Sequence, residues 1–453
     1  MTTSNQSKVI GYLPDDTPPW GAMLSLGFQQ VLTMFPATVL VAILTKFDVG
    51  VTLLASGLGT IIALLVSKRK IPMYYGSSFS YIAVVQTAMT LYANDCYTTA
   101  NYCEAGVRLV QVGIVGTAIV EILIGLLIMR VGKSALDNVL PPIITGSMAM
   151  VIGIALAGAA LNMASAHWTI AFITLIATVI FSVYLRGRGL LGMLPILLGA
   201  VVGYLVSLVF PGVVNFTPVL DANWVQVPHI TFPAFGDPRA WEVFVGIALI
   251  AIATVPESTA HLYQMSLYID SLAAELGRKP VEIKKLIGLN LIADGADDIV
   301  VGMLGGCAGT NYGENNSLMA ITRNYSVPVL MTAGVMAILL GFIGKLAALV
   351  GTIPVAVTGG LAIYLFGVIG MQGAALIQSE KVNLFDPKNL AVGSIILVLG
   401  IGGNLGLPNG LFPFQIPVLF PNGIPAIVFA AIVGILINLV FIFFKTPEVR
   451  PIE

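Results

Sequence analysis

The chain has 453 residues, 57% of them hydrophobic and only 9% charged, with 21 basic and 22 acidic side chains and a formal net charge of −1. Ordinary soluble domains carry roughly 25% charged residues, and a mean hydropathy of +0.95 requires most of the exterior to face hydrocarbon. A soluble fold is therefore excluded, and the lack of a basic excess excludes nucleic acid as a partner.

Residues 1–20 lack the apolar core of a secretory signal, so they are expected to form a short cytoplasmic polar tail ahead of a retained first crossing. At about 20 apolar residues per crossing, the chain reads as fourteen spans. They fall near 21–45, 50–67, 71–93, 107–129, 139–161, 168–185, 190–210, 242–266, 287–306, 307–322, 327–350, 353–378, 390–407 and 421–444, before a second tail at 445–453. The third and tenth open on Gly, Pro and β-prone residues, which makes them poor continuous helices.

With the N-terminus inside, Lys8, Lys68, Arg69, Lys70, Arg130, Lys133, Arg186, Arg188, Arg278, Lys279, Lys284, Lys285, Arg323, Lys381, Lys388, Lys445 and Arg450 fall on the inner side. Only Lys46, Arg108, Arg239 and Lys345 fall outside. That asymmetry predicts an even number of crossings with both termini cytoplasmic. Cys96, Cys103 and Cys307 fit neither a disulfide framework nor a zinc site. Cys96 and Cys103 flank a polar loop and either pair, if it faces an oxidising compartment, or stay free.

The halves echo one another. Pro141 and Thr145 recur as Pro354 and Thr358, and Tyr75-Gly76-Ser77-Ser78 recurs as Tyr312-Gly313-Glu314-Asn315 at an offset of 237. Seven spans per half is an odd number, so two copies of one unit must lie in the membrane with opposite orientation. Extended backbone in hydrocarbon costs several kcal/mol per unpaired group. The interrupted stretches 71–80 and 305–316 are therefore expected to pair as short antiparallel strands at the midplane, each leading into a half-helix aimed at one central pocket.

Acidic groups within apolar spans are functional candidates. Glu257 has His261 at i+4 on the same helical face, and the pair can share a proton in the physiological range. Glu314 sits where the second half-helix should begin, placed either to accept ligand N–H groups or to cap the helix. Asp294, Asp297 and Asp298 lie in the ninth span, with two expected near a wet vestibule and Asp294 behind the ligand as a supporting group. Glu121 shows no partner.

Such a pocket offers carboxylates, an imidazole, backbone N–H groups and the ring of Phe79, without an intramembrane Arg or Lys. It suits a small planar neutral molecule with both N–H donors and C=O acceptors. No zinc-ligand cluster or phosphate-binding loop is present, so neither a metal nor a cofactor is expected and an ion gradient supplies the energy. No paired nucleophile and base suggests an enzyme.

At Tyr312-Gly313-Glu314-Asn315 followed by Met319-Ala320-Ile321-Thr322-Arg323, the chain resembles the nucleobase/ascorbate transporter family, and closely its bacterial uracil permease branch. Further landmarks along nearly the whole length are Gln29 with Met34-Phe35 and Ala37-Thr38-Val39-Leu40, Gly76-Ser77-Ser78-Phe79, Glu257 with His261, and Gly359-Gly360 with Phe366-Gly367-Val368-Ile369-Gly370. The resemblance implies an all-α membrane fold of fourteen segments in a 7+7 inverted repeat, with two short antiparallel strands in broken spans 3 and 10. It also implies a core domain (21–130 and 242–350) moving against a gate domain (131–241 and 351–444).

By position, Phe79, Glu257, Tyr312, Gly313 and Glu314 match substrate-binding residues and Glu257 with His261 the proton-coupling pair, with Ser77, Ser78, Asp294 and Asn315 in support. Glu314, where purine-selective relatives tend to carry Gln, favours a pyrimidine. Gln30, Pro36, Ser317 and Phe366 depart from the family pattern, and Pro256 is expected to kink the eighth span at the site. The implied function is proton symport of a nucleobase, with uracil favoured, across an inner or plasma membrane by a homodimer. A purine symporter and a passive channel are the alternatives.

Overall fold

A computed structural model describes residues 11–99, 102–132, 138–186, 188, 191–192, 194–416, 420 and 422–444. Lys8, Lys133, Lys445 and Arg450, with residues 1–10 and 445–453 of the two tails, lie outside them. The fold is almost wholly helical. In chain order it runs α1 (Trp20–Thr45), α2 (Val49–Val66), β1 (Tyr75–Ser77), α3 (Ile82–Tyr92), α4 (Glu104–Val131), α5 (Pro142–Ala155), α6 (Ala157–Ser165), α7 (Trp168–Tyr184), α8 (Pro195–Ser207), α9 (Ala240–Ala248), α10 (Ala251–Glu275) and α11 (Ile287–Leu304). It continues as β2 (Gly309–Asn311), α12 (Gly313–Thr322), α13 (Val327–Gly341), α14 (Val355–Ser379), α15 (Pro387–Leu397) and α16 (Ala426–Phe443).

Among the described residues, seven helical stretches are long and apolar enough to cross a bilayer: α1, α2, α4, α5 with α6, α14, the Pro387–Gly406 run and α16. Helices α7, α8 and α13 are apolar but shorter. Polar side chains explain why α10 and α11 fall below that standard, since α11 alone carries three aspartates. Chain breaks explain α3 and α12. The protein is an integral membrane protein.

Strand β1 pairs antiparallel with β2, Tyr75 facing Asn311, Gly76 facing Thr310 and Ser77 facing Gly309. Bonds from Ser78 N–H to Ala308 O (2.8 Å) and Tyr312 N–H to Tyr74 O (2.9 Å) extend the ladder. The other edge of β1 is sealed by α2: Ser56 and Thr60 hydroxyls donate to Tyr75 O at 2.7 and 3.0 Å, and Tyr75 N–H donates to Thr60 Oγ1 at 3.0 Å. Backbone that lipid could not satisfy is thus satisfied by protein. The Tyr75/Tyr312 echo is not the geometric equivalence, because Tyr75 lies inside β1 whereas Tyr312 follows β2. Gly76 faces Thr310 and the half-helices open at Phe79 and Gly313, both offsets of 234.

Helix α2 packs on α13 and α11 on α4, while α5 packs on α14. The last contact is backbone to backbone: a Cβ on Gly373 would come within 2.4 Å of Gly146 O, and one on Gly153 within 2.3 Å of Gly370 N.

Several boundaries differ from expectation. The fifth span breaks at Leu156 and runs on to Ser165. The eighth divides at Leu249–Ile250, where Ile250 N–H bonds Ile247 O in a tighter turn, and Pro256 sits inside continuous α10. The eleventh ends at Gly341, before a separate Gly344–Gly351 helix. The thirteenth widens into a π turn at Val398–Gly402.

The segment ahead of α1 is an ordered strap. Tyr12 N–H donates to Arg323 O (2.9 Å), Tyr325 N–H to Tyr12 O (2.8 Å) and Val327 N–H to Pro14 O (3.0 Å). Asp16 takes both its oxygens to Arg278 at 2.7–2.8 Å, and Leu13 is buried. Polarity alone gave no sign of this role.

Candidate functional site

Two half-helices and α10 build the site. The first half-helix opens with a 3-10 turn, Phe79–Tyr81, whose start is capped by the Ser78 hydroxyl on Ser80 N–H. The second, α12, opens on Tyr312 with no side-chain cap, so its leading N–H groups remain available as donors. Glu314 lies in that first turn, half-buried and on the positive end of the helix dipole.

On α10, Glu257 is half-buried and accepts a 2.8 Å hydrogen bond from the Ser80 hydroxyl on its Oε2. His261 Nδ1 lies 2.9 Å from Asn311 O and 2.8 Å from Asn311 Oδ1. Both partners are acceptors, so Nδ1 carries a hydrogen. Nε2 faces Gly313, where a Cβ would approach within 2.9 Å. Glycine at 313 is thus what allows α12 to start against the imidazole. The Glu257 carboxyl feels the charge of both the His261 ring and the Glu314 carboxyl, and Phe79 stands partly exposed at the tip of its half-helix.

Supporting groups lock this arrangement. Asn311 Nδ2 and Asn290 Nδ2 each donate to Ser258 Oγ at 2.8 Å, tying β2 and α11 to α10 one residue past Glu257. Asn315 Nδ2 donates to Gln30 O and Oε1 at 3.0 and 2.8 Å, so the unusual Gln30 anchors α12 to α1. The Tyr312 hydroxyl donates to Ser77 O at 2.8 Å and lies 3.0 Å from Thr38 Oγ1. Its side chain is therefore a buried strut against the strands. Ser77 and Ser78 are likewise buried in the strand and cap.

The aspartates of α11 are not near water. Asp294, Asp297 and Asp298 are all buried to 1% exposure or less. Asp298 accepts from the Tyr81 hydroxyl and from Gly309 N–H, both at 2.6 Å, and so braces the first half-helix and β2 against α11. Asp297 fills the space between α2 and β2 where a Cβ on Gly59 or Gly309 would sit. Glu121, unpartnered in sequence terms, accepts from the Thr254 hydroxyl at 2.5 Å. These buried acids face inward because α11 packs between α2 and α4, a placement that hydropathy alone does not encode. Ser80, Ser258, Asn290 and Asn311 were not singled out from sequence; their one signal was hydroxyl and amide residues within otherwise apolar spans.

Among the described residues, no group of three or more His, Cys, Asp or Glu side chains could hold a metal. The arrangement can accept N–H groups on carboxylates and donate backbone N–H groups to carbonyls.

A family model described as "Permease family" matches residues 21–408. The chain is 35% identical over 436 residues to "Uracil permease" of Bacillus caldolyticus, covering 94% of this chain and 93% of that one. It is 34% identical over 443 residues to "Uracil permease" of Bacillus subtilis (strain 168), covering 94% of each. In fold it is similar to the transmembrane domain of the cyanobacterial bicarbonate transporter BicA, with TM-score 0.56, 14% identity and coverage of 92% and 96%. It is also similar to the murine Slc26a9 anion transporter, with TM-score 0.65, 13% identity and coverage of 98% and 73%. The chain belongs to this Permease family, the nucleobase/ascorbate transporter family.

Proposed function

We propose that the protein is a secondary active nucleobase transporter that carries uracil together with a proton. The observation that carries this reading is the convergence of Glu257, Glu314, His261 and the uncapped start of α12 on one space beside Phe79. Uracil presents alternating N–H and C=O groups, which carboxylates and helix N–H groups respectively complement. Proton uptake on Nε2 of His261 and base binding to the carboxylates favour the same closed state, which is what coupling requires. The full-length relatives that are uracil permeases support this substrate.

The chain crosses the membrane fourteen times as two oppositely oriented units of seven. Exchanging the halves turns the α2–α13 contact into the α11–α4 contact, maps β1 on β2 and returns α5–α14 to itself, which supports the repeat. Residues 21–130 and 242–350 form the moving core and 131–241 with 351–444 the gate, and substrate alternates between the two faces. Gate spans also form the contact of a homodimer, on the family resemblance alone. A Cys96–Cys103 disulfide lies beside Lys46, whose carbonyl accepts from Cys103 N–H at 3.1 Å. Disulfides persist in oxidising compartments, so this pair supports the assignment of that end to the outside of an inner membrane and of both termini to the cytoplasm.

The test is labelled-uracil uptake into proteoliposomes with proton and sodium gradients imposed separately. A proton gradient alone should drive accumulation above equilibrium. Equilibration without accumulation indicates a channel, and stronger competition by xanthine than by unlabelled uracil indicates a purine carrier; either refutes the proposal.

A further inference from the structure

Beyond Phe79, on the disulfide-bearing side, a cavity of about 260 Å³ separates α3 from the break at α5–α6 and from the Gly403–Gly406 turn. At about 30 Å³ per water, it has room for a single-ring molecule. Its core wall is one face of α3: Ala83, Gln86, Thr87 and Thr90 continue at helical spacing from Phe79. Asn404 and Asn409 line the opposite wall.

Among the described residues no ionisable side chain lines this space, which leaves carboxamides as its strongest hydrogen-bonding groups and favours an uncharged occupant. Two of them are fixed. Gln86 Nε2 donates to Leu44 O at 3.2 Å, and Asn404 Nδ2 donates to Ala155 O at 2.9 Å, a carbonyl at the α5–α6 break. Each retains a carbonyl oxygen and a second N–H. A carboxamide edge is the hydrogen-bonding complement of a ring lactam edge, C=O beside N–H.

We propose that this cleft is a second binding site, on the outer approach to Phe79, which takes an uncharged heterocycle with a lactam edge before it reaches Glu257 and Glu314. The inference rests on the reading of the central site as a nucleobase site. Having one wall on the core and one on the gate, the site exists only while those walls are apart.

The test places a reporter cysteine in the cleft at Ala159 or, separately, at exposed Leu405, in the full-length chain and in the same chain carrying Glu314→Ala. Millimolar uracil should slow methanethiosulfonate labelling at least threefold in both backgrounds. Gln86→Leu should raise the KM for uptake about tenfold, with kcat within twofold. Protection that vanishes with Glu314→Ala, or an unchanged KM in Gln86→Leu, overturns the proposal. Undiminished uptake by Glu314→Ala refutes the central-site reading instead.

Discussion

Around β1 and β2 the helices approach through buried polar groups, whereas α5 and α14 approach through bare backbone. In the first region Asp298, Asn311, Ser258, Asn290 and Asn315 each hold two elements together with directed bonds of 2.6–2.8 Å. In the second, Gly146, Gly153, Gly370 and Gly373 bring two helices to contact without a side chain between them. Directed bonds fix one geometry, which a site that reads donors and acceptors needs. Close-packed helices without such bonds provide a stiff but chemically featureless wall.

Substitutions that break this contrast should rank by what they remove. Glu257→Gln and Glu314→Ala are expected to lower uptake more than 100-fold while membrane insertion and thermal stability stay at parental levels, as checked by labelled-uracil uptake and by Tm of the purified protein. Normal uptake would show that directed polar groups in the first region do not serve the ligand. Gly153→Leu should cost stability instead, by about 3 kcal/mol as overpacking against backbone, seen as a lowered Tm with Kd retained in the folded fraction. Tyr81→Phe, which strips Asp298 of one donor, should cost about 1–3 kcal/mol and weaken binding only through the displaced half-helix.

The smallest effect belongs outside the membrane. Hydrogen bonds from Arg239 hold the Asp237 carboxyl down to about 2. A depressed carboxyl contributes stability above its unfolded value near 3.8, and that contribution is lost as pH falls through about 2. The pair is solvent-screened, so Asp237→Asn should cost under about 1 kcal/mol at pH 7 and only a small fraction of that at pH 2, measured by denaturation at both.

Much of the candidate site's geometry was legible because its rule is local. Pro72, Gly76 and Gly309 cannot sit in a lipid-facing helix, and Glu257 and His261 share a face by spacing alone. Where the sequence reading fell short, the cause was tertiary. The aspartates of α11 read as partly wet because three acids in eighteen residues look amphipathic, yet neighbours cover every side of that helix. Pro256 reads as a kink, but the chain turns six residues earlier, at Ile250. Tyr312 reads as a pocket residue because it adjoins Glu314, yet its ring turns away to Thr38 and Ser77.

The strap at residues 11–19 bears on how the protein is handled at the bench. Its backbone is clipped to residues 323–327, next to the exit of α12, and its Asp16 grips Arg278 beyond the end of α10. A purification handle or fluorescent fusion abutting Gly11 would crowd Leu272, toward which a Cβ on that glycine already approaches within 2.7 Å. Expression vectors should leave the leading ten residues as a spacer, or attach the handle elsewhere.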